Sequence, residues 1–452
     1  MREVVGGKPA KTEAYVPLPQ KSDRRKLFLW LCEHTAYGCG LVTGDRRRSR
    51  HALILNHFCI FAKNMNIMSQ ASYEMFPSPC YVMYEEALEA NLQLLHLVQK
   101  EADVSIICAL KGFSFWNSFP LVKQYLKGAT ASSVNEARLI VEEMGCEAHS
   151  YAPIYTSEDF RDFLIYSKML TFNSLSQWFR FKEEALAFPK KVSFGLRVNP
   201  EYSEVETDMY NPALPGSRLG ILAENMPDRL PEGIEGLHFH ALCENDSYAL
   251  ENCLAAFEKK FSHLIKECKW VNFGGGHLIT REDYDVMHLI GLLKDFRQRY
   301  PNIKELILEP GEAVGWQTGI LIATVEDIVE NKGIKTAMLN VSFSCHMPDC
   351  LEMPYKPTVI GATDPTPDSK YVYRLGGCSC LAGDFMGMGD YAFPEPLEIG
   401  DRIAFDDMIH YTMVKTTFFN GVPHPAIGIV RKDTGFEVLA RPGYQAYKEK
   451  LG

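Results

Sequence analysis

Ser105-Ile106-Ile107-Cys108-Ala109-Leu110-Lys111-Gly112-Phe113 is an apolar, strand-like run that ends by delivering an amine. A lysine at a strand terminus is ordinarily a solvated end. Two further apolar runs, however, finish in equally specific chemistry: one leads into Gly274-Gly275-Gly276, and Glu305-Leu306-Ile307-Leu308 leads into Glu309-Pro310-Gly311-Glu312. An amine suited to a Schiff base, a glycine-rich phosphate cradle and a carboxylate, each in its own loop, are what an aldehyde cofactor with a phosphate and a pyridine nitrogen requires. Pyridoxal 5'-phosphate meets all three demands.

Outward from these runs, strand and helix patterns alternate. Eight strand candidates end near Lys111, Ser132, Tyr151, Asn173, Val198, His240, Phe273 and Glu309. Helical patterns separate most of them: residues 85–101 repeat Leu88, Leu92, Leu95 and Val98 at helical spacing, and residues 136–144 and 249–265 behave similarly. Eight such repeats predict a parallel (β/α)8 barrel, which places Lys111, Arg197, His240, the three glycines and Glu309 on the C-terminal face where barrel enzymes build their sites. A doubly wound open sheet, the alternative, would gather ligands at one switch point. Beyond Gly319, runs rich in Val, Ile, Thr and Tyr at residues 320–329, 335–342, 371–375 and 401–405 read as antiparallel strands of a second, β-rich domain. The expected organisation is an irregular extension over residues 1–70, a strand within 71–85 that joins the β domain, the barrel over 86–319 and the β-rich domain over 320–452. Met65, Met68 and Met75 precede the first regular element, so the extension is consistent with a start assigned too far upstream.

A chain of 452 residues with a formal charge of -10 has no basic stripe for nucleic acid and no apolar run long enough to span a membrane. Its thirteen cysteines lack paired metal-ligand spacing, which predicts reduced thiols, a cytoplasmic setting and no metal.

Six motifs stand in order along the chain: Ala109-Leu110-Lys111, Leu237-His238-Phe239-His240, Gly274-Gly275-Gly276-His277, Glu309-Pro310-Gly311-Glu312, Cys380-Leu381-Ala382-Gly383-Asp384 and Asp407-Met408-Ile409-His410-Tyr411. From about Pro77 to the C-terminus the chain resembles the fold type III, alanine-racemase-fold pyridoxal phosphate decarboxylases, and among them the carboxynorspermidine (carboxyspermidine) decarboxylases. The resemblance implies that Lys111 carries the cofactor, that Glu309 faces its pyridine nitrogen, that His240 stacks on its ring, and that Arg197, the glycines and Tyr411 complete its binding site. It also implies a homodimer with shared sites, in which Cys380 reaches the partner's cofactor to deliver a proton and Asp384 contacts the substrate's distal amine. Cys378 and Ser379 stand where that family more usually has proline and threonine, which leaves open whether Cys378 or Cys380 faces the cofactor.

The resemblance further separates substrates. Diaminopimelate decarboxylases carry arginine after Glu-Pro-Gly, suited to a distal carboxylate, whereas this chain carries Glu312. An anionic side chain there attracts an ammonium, so a carboxylated polyamine is the expected substrate, with Glu244 and His277 as further polar lining. Rival expectations are decarboxylation of ornithine, lysine or diaminopimelate, racemisation, or an inactive paralogue that regulates an active enzyme.

Overall fold

A computed structural model of this chain describes residues 70–452, so the expected extension, Met65 and Met68 included, lies outside the described residues except for Gln70. Within them, nine short parallel strand segments run in an order that begins at Ser105–Ile106 and ends at Cys108–Ala109. Those two segments are halves of one strand. Ile107 donates its N–H to Leu308 on one side, and Cys108 donates to Gly128 on the other, so the strand touches both ends of the sheet and closes it. The remaining seven strands are Ala129–Ala131, Ala148–Tyr151, Ser167–Phe172, Ser193–Arg197, Ile234–His238, Trp270–Asn272 and Glu305–Leu308. The result is an eight-stranded parallel barrel whose strands end within two residues of the positions read from the sequence.

Local chemistry starts the helices between them. Ser133 and Ser174 accept from the N–H groups of Glu136 and Gln177, and Asp246 accepts from Tyr248 and Ala249, each satisfying donors that a helix start leaves free. The barrel interior is filled by a large-to-small match. Trp270 lies against Gly195 and Gly236 on neighbouring strands, where an added Cβ would come within 2.2 and 2.1 Å of the indole. Its Nε1–H donates to Ser193 Oγ at 2.8 Å. Trp270 therefore plugs the barrel below the face on which the site is built.

The second domain is a mixed sheet around the 13-residue strand Gly319–Asn331, which pairs with Cys80–Tyr84 and Arg402–Asp406 along its first half and with Ile334–Leu339 along its second. The expectation of an antiparallel sheet needs correction at two places. Cys80–Tyr84 runs parallel to Ala426–Arg431, and Ile334–Leu339 runs parallel to Tyr371–Gly376. Both departures arise because long excursions, a whole barrel in the first case and two short helices in the second, separate the paired strands. Those helices, Phe343–His346 and Pro348–Glu352, were not read from the sequence; at four and five residues they are too short for a 3.6-residue period to show. The fold also begins earlier than the regular pattern: in the 3-10 helix Gln70–Met75 and just beyond it, Tyr73 and Phe76 pack into the sheet's core beside Val82 and Ile322. No helix among the described residues is long and apolar enough to cross a membrane.

Candidate active site

Lys111 follows the closed strand directly and projects into a cavity of about 200 Å3 at the C-terminal end of the barrel. The cavity gives its ammonium group some accessible surface, while surrounding protein strips away bulk water. Burial, aided by the nearby Arg197 charge, lowers the lysine's pKa, and Glu309 only partly offsets this. A larger neutral fraction follows, which is what a nucleophilic amine needs.

His240 lies across from it. Gly275 donates its N–H to His240 Nδ1 at 2.9 Å, so the neutral ring carries its proton on Nε2, which stands 3.4 Å from Lys111 Nζ. Burial and the adjoining cations hold His240 well below the ordinary histidine range, keeping it neutral. Arg197, the last residue of its strand, donates to the His240 carbonyl at 3.1 Å and lies 4.7 Å over the Tyr151 ring. The ring is thereby fixed from the backbone side and from both ring nitrogens.

Glu309 directly follows the strand Glu305–Leu308 and is 7% exposed. Its Oε1 accepts from Asn272 Nδ2 at 2.6 Å, and Oε2 lies 3.7 Å from His238 Nε2. Burial raises its pKa, opposed by the Asn272 hydrogen bond and the Lys111 charge. A carboxylate so placed is ready to hold a proton shared with a cationic N–H group. Asn272, at the end of its strand, was missed by sequence reasoning, and His238, quoted within its motif, was given no role there. His238, His240 and Glu309 have ligand-type atoms within 4.8 Å of one another; the hydrogen bonds from Gly275 and Asn272 already occupy one atom of His240 and one of Glu309.

A Cβ at Gly274, Gly275 or Gly276 would meet the Phe239, Glu309 or Leu242 carbonyl oxygen at 2.6, 2.4 and 2.0 Å, so the glycines are required by the turn's own packing on the barrel. Two of the three N–H groups are also spent inside the protein, Gly274 on Asn272 Oδ1 and Gly275 on His240. Among the described residues the Gly276 N–H has no hydrogen-bond partner, and Gly276 lines the cavity.

Tyr411 lines the same cavity. So do Glu244, His277 and Glu312. His277 is 1% exposed rather than a solvated loop residue, and burial lowers its pKa to about 4. Burial pushes Glu312 up to about 8, opposed by His410 and reinforced by the charge of Glu244. Burial also raises Glu244, opposed by His410 and Arg281 and reinforced by the charges of Asp349 and Asp407.

Cys380 and Asp384 stand apart from this group. Cys380 is exposed, as is Cys378. Asp384 is buried with both oxygens engaged, accepting from the N–H groups of Ser344 and Ser379 at 3.0 Å each. Its carboxylate shapes the loop that carries Cys380. The thiol lining this chain's own cavity is Cys243, which burial and the charges of Glu244 and Glu312 push up to about 12, so it is a protonated thiol at neutral pH.

Comparison with known proteins agrees with this geometry. A family model described as pyridoxal-dependent decarboxylase, C-terminal sheet domain, matches residues 80–409. The chain is 50% identical over 389 residues to carboxyaminopropylagmatine decarboxylase of Synechocystis sp., covering 86% of this chain and 99% of that protein. It is 41% identical over 385 residues to carboxynorspermidine/carboxyspermidine decarboxylase of Campylobacter jejuni, covering 83% and 98%. The crystal structure of carboxynorspermidine decarboxylase from that organism, complexed with norspermidine, superposes with a TM-score of 0.76 at 40% identity, covering 83% of this chain and all of that one.

Proposed function

This chain belongs to the pyridoxal-dependent decarboxylases, and we propose that it removes carbon dioxide from the α-amino-acid head of a carboxylated polyamine, completing spermidine, norspermidine or a related amine. The observation that carries the choice of substrate is the pair of carboxylates, Glu244 and Glu312, on the wall of the Lys111 cavity. Glu312 holds its proton up to about pH 8 because burial and like charges leave its anion undercompensated. A cationic substrate tail relieves that deficit; a carboxylate tail would aggravate it. The relatives named for carboxynorspermidine and carboxyspermidine support the reading.

The residues fit the cofactor. Lys111 is an amine on the cavity wall whose pKa burial and Arg197 lower, Glu309 is a carboxylate backed by Asn272, and Gly276 lines the cavity with its N–H unpartnered among the described residues. Pyridoxal 5'-phosphate, when bound, supplies a protonated ring that takes up the electron pair left by the departing carboxyl carbon. Lys111 would hold its aldehyde end, Glu309 would hold the proton of its ring nitrogen, and Gly276 with Tyr411 would face its phosphate. His240, neutral and fixed by Gly275 and Arg197, keeps Lys111 oriented without adding positive charge. The Lys111 amine, its pKa lowered by burial and Arg197, would also be placed to carry a proton within this cavity.

We assign the final protonation to Cys380 from a second copy of this chain, in a homodimer with shared sites. This is supported by the exposure of the Cys380 loop and by the Asp384 hydrogen bonds that shape it. Mixing inactive Lys111→Ala chains with inactive Cys380→Ala chains should restore part of the activity. Confirmed subunit exchange without recovery would place both groups in one subunit's site. The ten described cysteines are all unpaired, which supports a reducing, cytoplasmic setting.

The decisive assay is carbon dioxide release from carboxylated triamines beside ornithine, lysine and diaminopimelate. Carboxylated triamines should be turned over with by far the highest kcat/KM. Preference for diaminopimelate would overturn the substrate assignment.

A further inference from the structure

Glu244 and Glu312 do not close the site. They also line a second cavity of about 380 Å3, which shares these two side chains with the first and is otherwise lined largely by the β-rich domain. Its charges do not balance. Asp349, Asp406 and Asp407 join the two glutamates around it. Of the cations, His410 sits 3.3 Å from Asp407. Lys356 is turned away, held by Asp364 at 2.6 Å and by the Asp390 carbonyl at 2.7 Å. Lys415 bridges Asp349 at 2.7 Å and Glu352 at 2.6 Å. Among the described residues neither the Glu244 nor the Glu312 carboxylate has a hydrogen-bonding partner, so two acceptor groups face the junction of the cavities unused.

The remaining wall is flat and aromatic. Trp316 lies nearly parallel to His410, with an interplanar angle of 26° and centroids 6.2 Å apart, and Tyr355 stands on the same cavity. Paired carboxylates beside aromatic planes suit a guanidinium better than an ammonium. The guanidinium is planar, more weakly hydrated, donates in a fork to carboxylates and stacks on rings, whereas an ammonium is a compact, strongly hydrated point charge.

We propose that this second cavity is the subsite for a guanidinium-ended tail, so that the preferred substrate is a carboxylated aminopropyl derivative of agmatine rather than one ending in an ammonium. The inference rests on the decarboxylase reading above and narrows its substrate class. An agmatine tail is longer than that of carboxynorspermidine and must end beyond Glu312, where the space lies. The relative at 50% identity is named for such a compound.

The test uses the cofactor-loaded enzyme with carboxyaminopropylagmatine, carboxyspermidine and carboxynorspermidine, and measures binding of agmatine and 1,4-diaminobutane by calorimetry. The guanidino substrate should lead in kcat/KM by at least tenfold, and agmatine should bind more tightly than the diamine. Trp316→Ala should bring both ratios toward unity, while Trp316→Phe, which restores a flat wall, should keep most of the preference and controls for misfolding. Equal or reversed preference in the wild-type enzyme overturns this inference and leaves the decarboxylase reading standing. Failure to decarboxylate any of the three, with cofactor bound, sinks the reading beneath it.

Discussion

The two cavities differ in how their charges are held. Around Lys111 the central groups have protein partners: His240 is held by Gly275 and Arg197, Glu309 by Asn272, and the turn itself by Asn272. Around Glu312 the carboxylates are left to repel one another, and burial keeps a proton on a group that would otherwise lose it. The first cavity is finished without substrate, as electrostatic preorganisation requires. The second engages its cations with other carboxylates and leaves Glu244 and Glu312 without an ion-pair partner, as a selective tail pocket does. Chemistry and selection are thus separated along one wall, and substitutions on its two sides should have different signatures.

The largest effect belongs to the chemical side. Lys111→Ala should lower kcat by at least about 10³-fold for every substrate, because it removes both the cofactor's anchor and the mobile proton carrier. Reductive trapping of the cofactor in the wild-type protein, followed by peptide mapping, should find it on Lys111. Attachment at another lysine would dissolve the distinction between the cavities.

Next comes the support beneath Glu309. Asn272→Ala removes a charge-assisted hydrogen bond worth roughly 1.5–3 kcal/mol, so kcat should fall about ten- to a hundredfold with the tail preference intact. The bond lowers the Glu309 pKa. Its loss therefore raises that pKa, and the acid limb of the kcat profile should move to higher pH. An unchanged profile would show that Asn272 only fills space.

Legibility in the sequence followed the same division. The barrel could be read because each strand is a short apolar run, and position at the run ends put Lys111, His240 and Glu309 on one face, while their roles came from the family resemblance. Asn272 escaped because an Asn beside a stronger motif carries no signal of its own, and His238, though inside a motif, carried nothing to tell its role from that of His240. The parallel pairings in the second sheet were invisible, since register between strands separated by a barrel depends on tertiary packing. The second cavity was hardest to see. Glu312 and Glu244 could be suspected from their charge, but Asp349 sits on a five-residue helix and Asp407 and His410 lie in a loop, so their convergence exists only in three dimensions. Asp384 shows the converse, a residue singled out for substrate whose carboxylate is consumed by two backbone N–H groups.

The tail pocket gives an intermediate effect. Glu312→Gln nearly conserves shape and should cost cationic-tailed substrates about ten- to a hundredfold in kcat/KM, while short neutral amino acids should be affected far less. Equal losses for both would move selection away from Glu312.

The smallest effect is one of stability, and its sign separates a strained carboxylate from an ordinary one. The folded protein holds the Glu312 proton up to about pH 8, whereas the unfolded chain releases it in the ordinary glutamate range near ~4.3. Between those values the folded state binds more protons than the unfolded state, so this group's contribution to stability falls as pH rises through the window and is most unfavourable above about 8. Glu312→Gln carries no such proton and should gain on the wild type as pH increases from 6 to 9. The carboxyl borders a cavity open to water, so the gain should be of order 1 kcal/mol, or about 2 °C in Tm. Calorimetric melting of both cofactor-loaded proteins at several pH values measures it. A gap that stays constant with pH would mean that the proton resides elsewhere in the cluster, with Glu244 the first place to look, since it shares the same wall and is raised by the same burial.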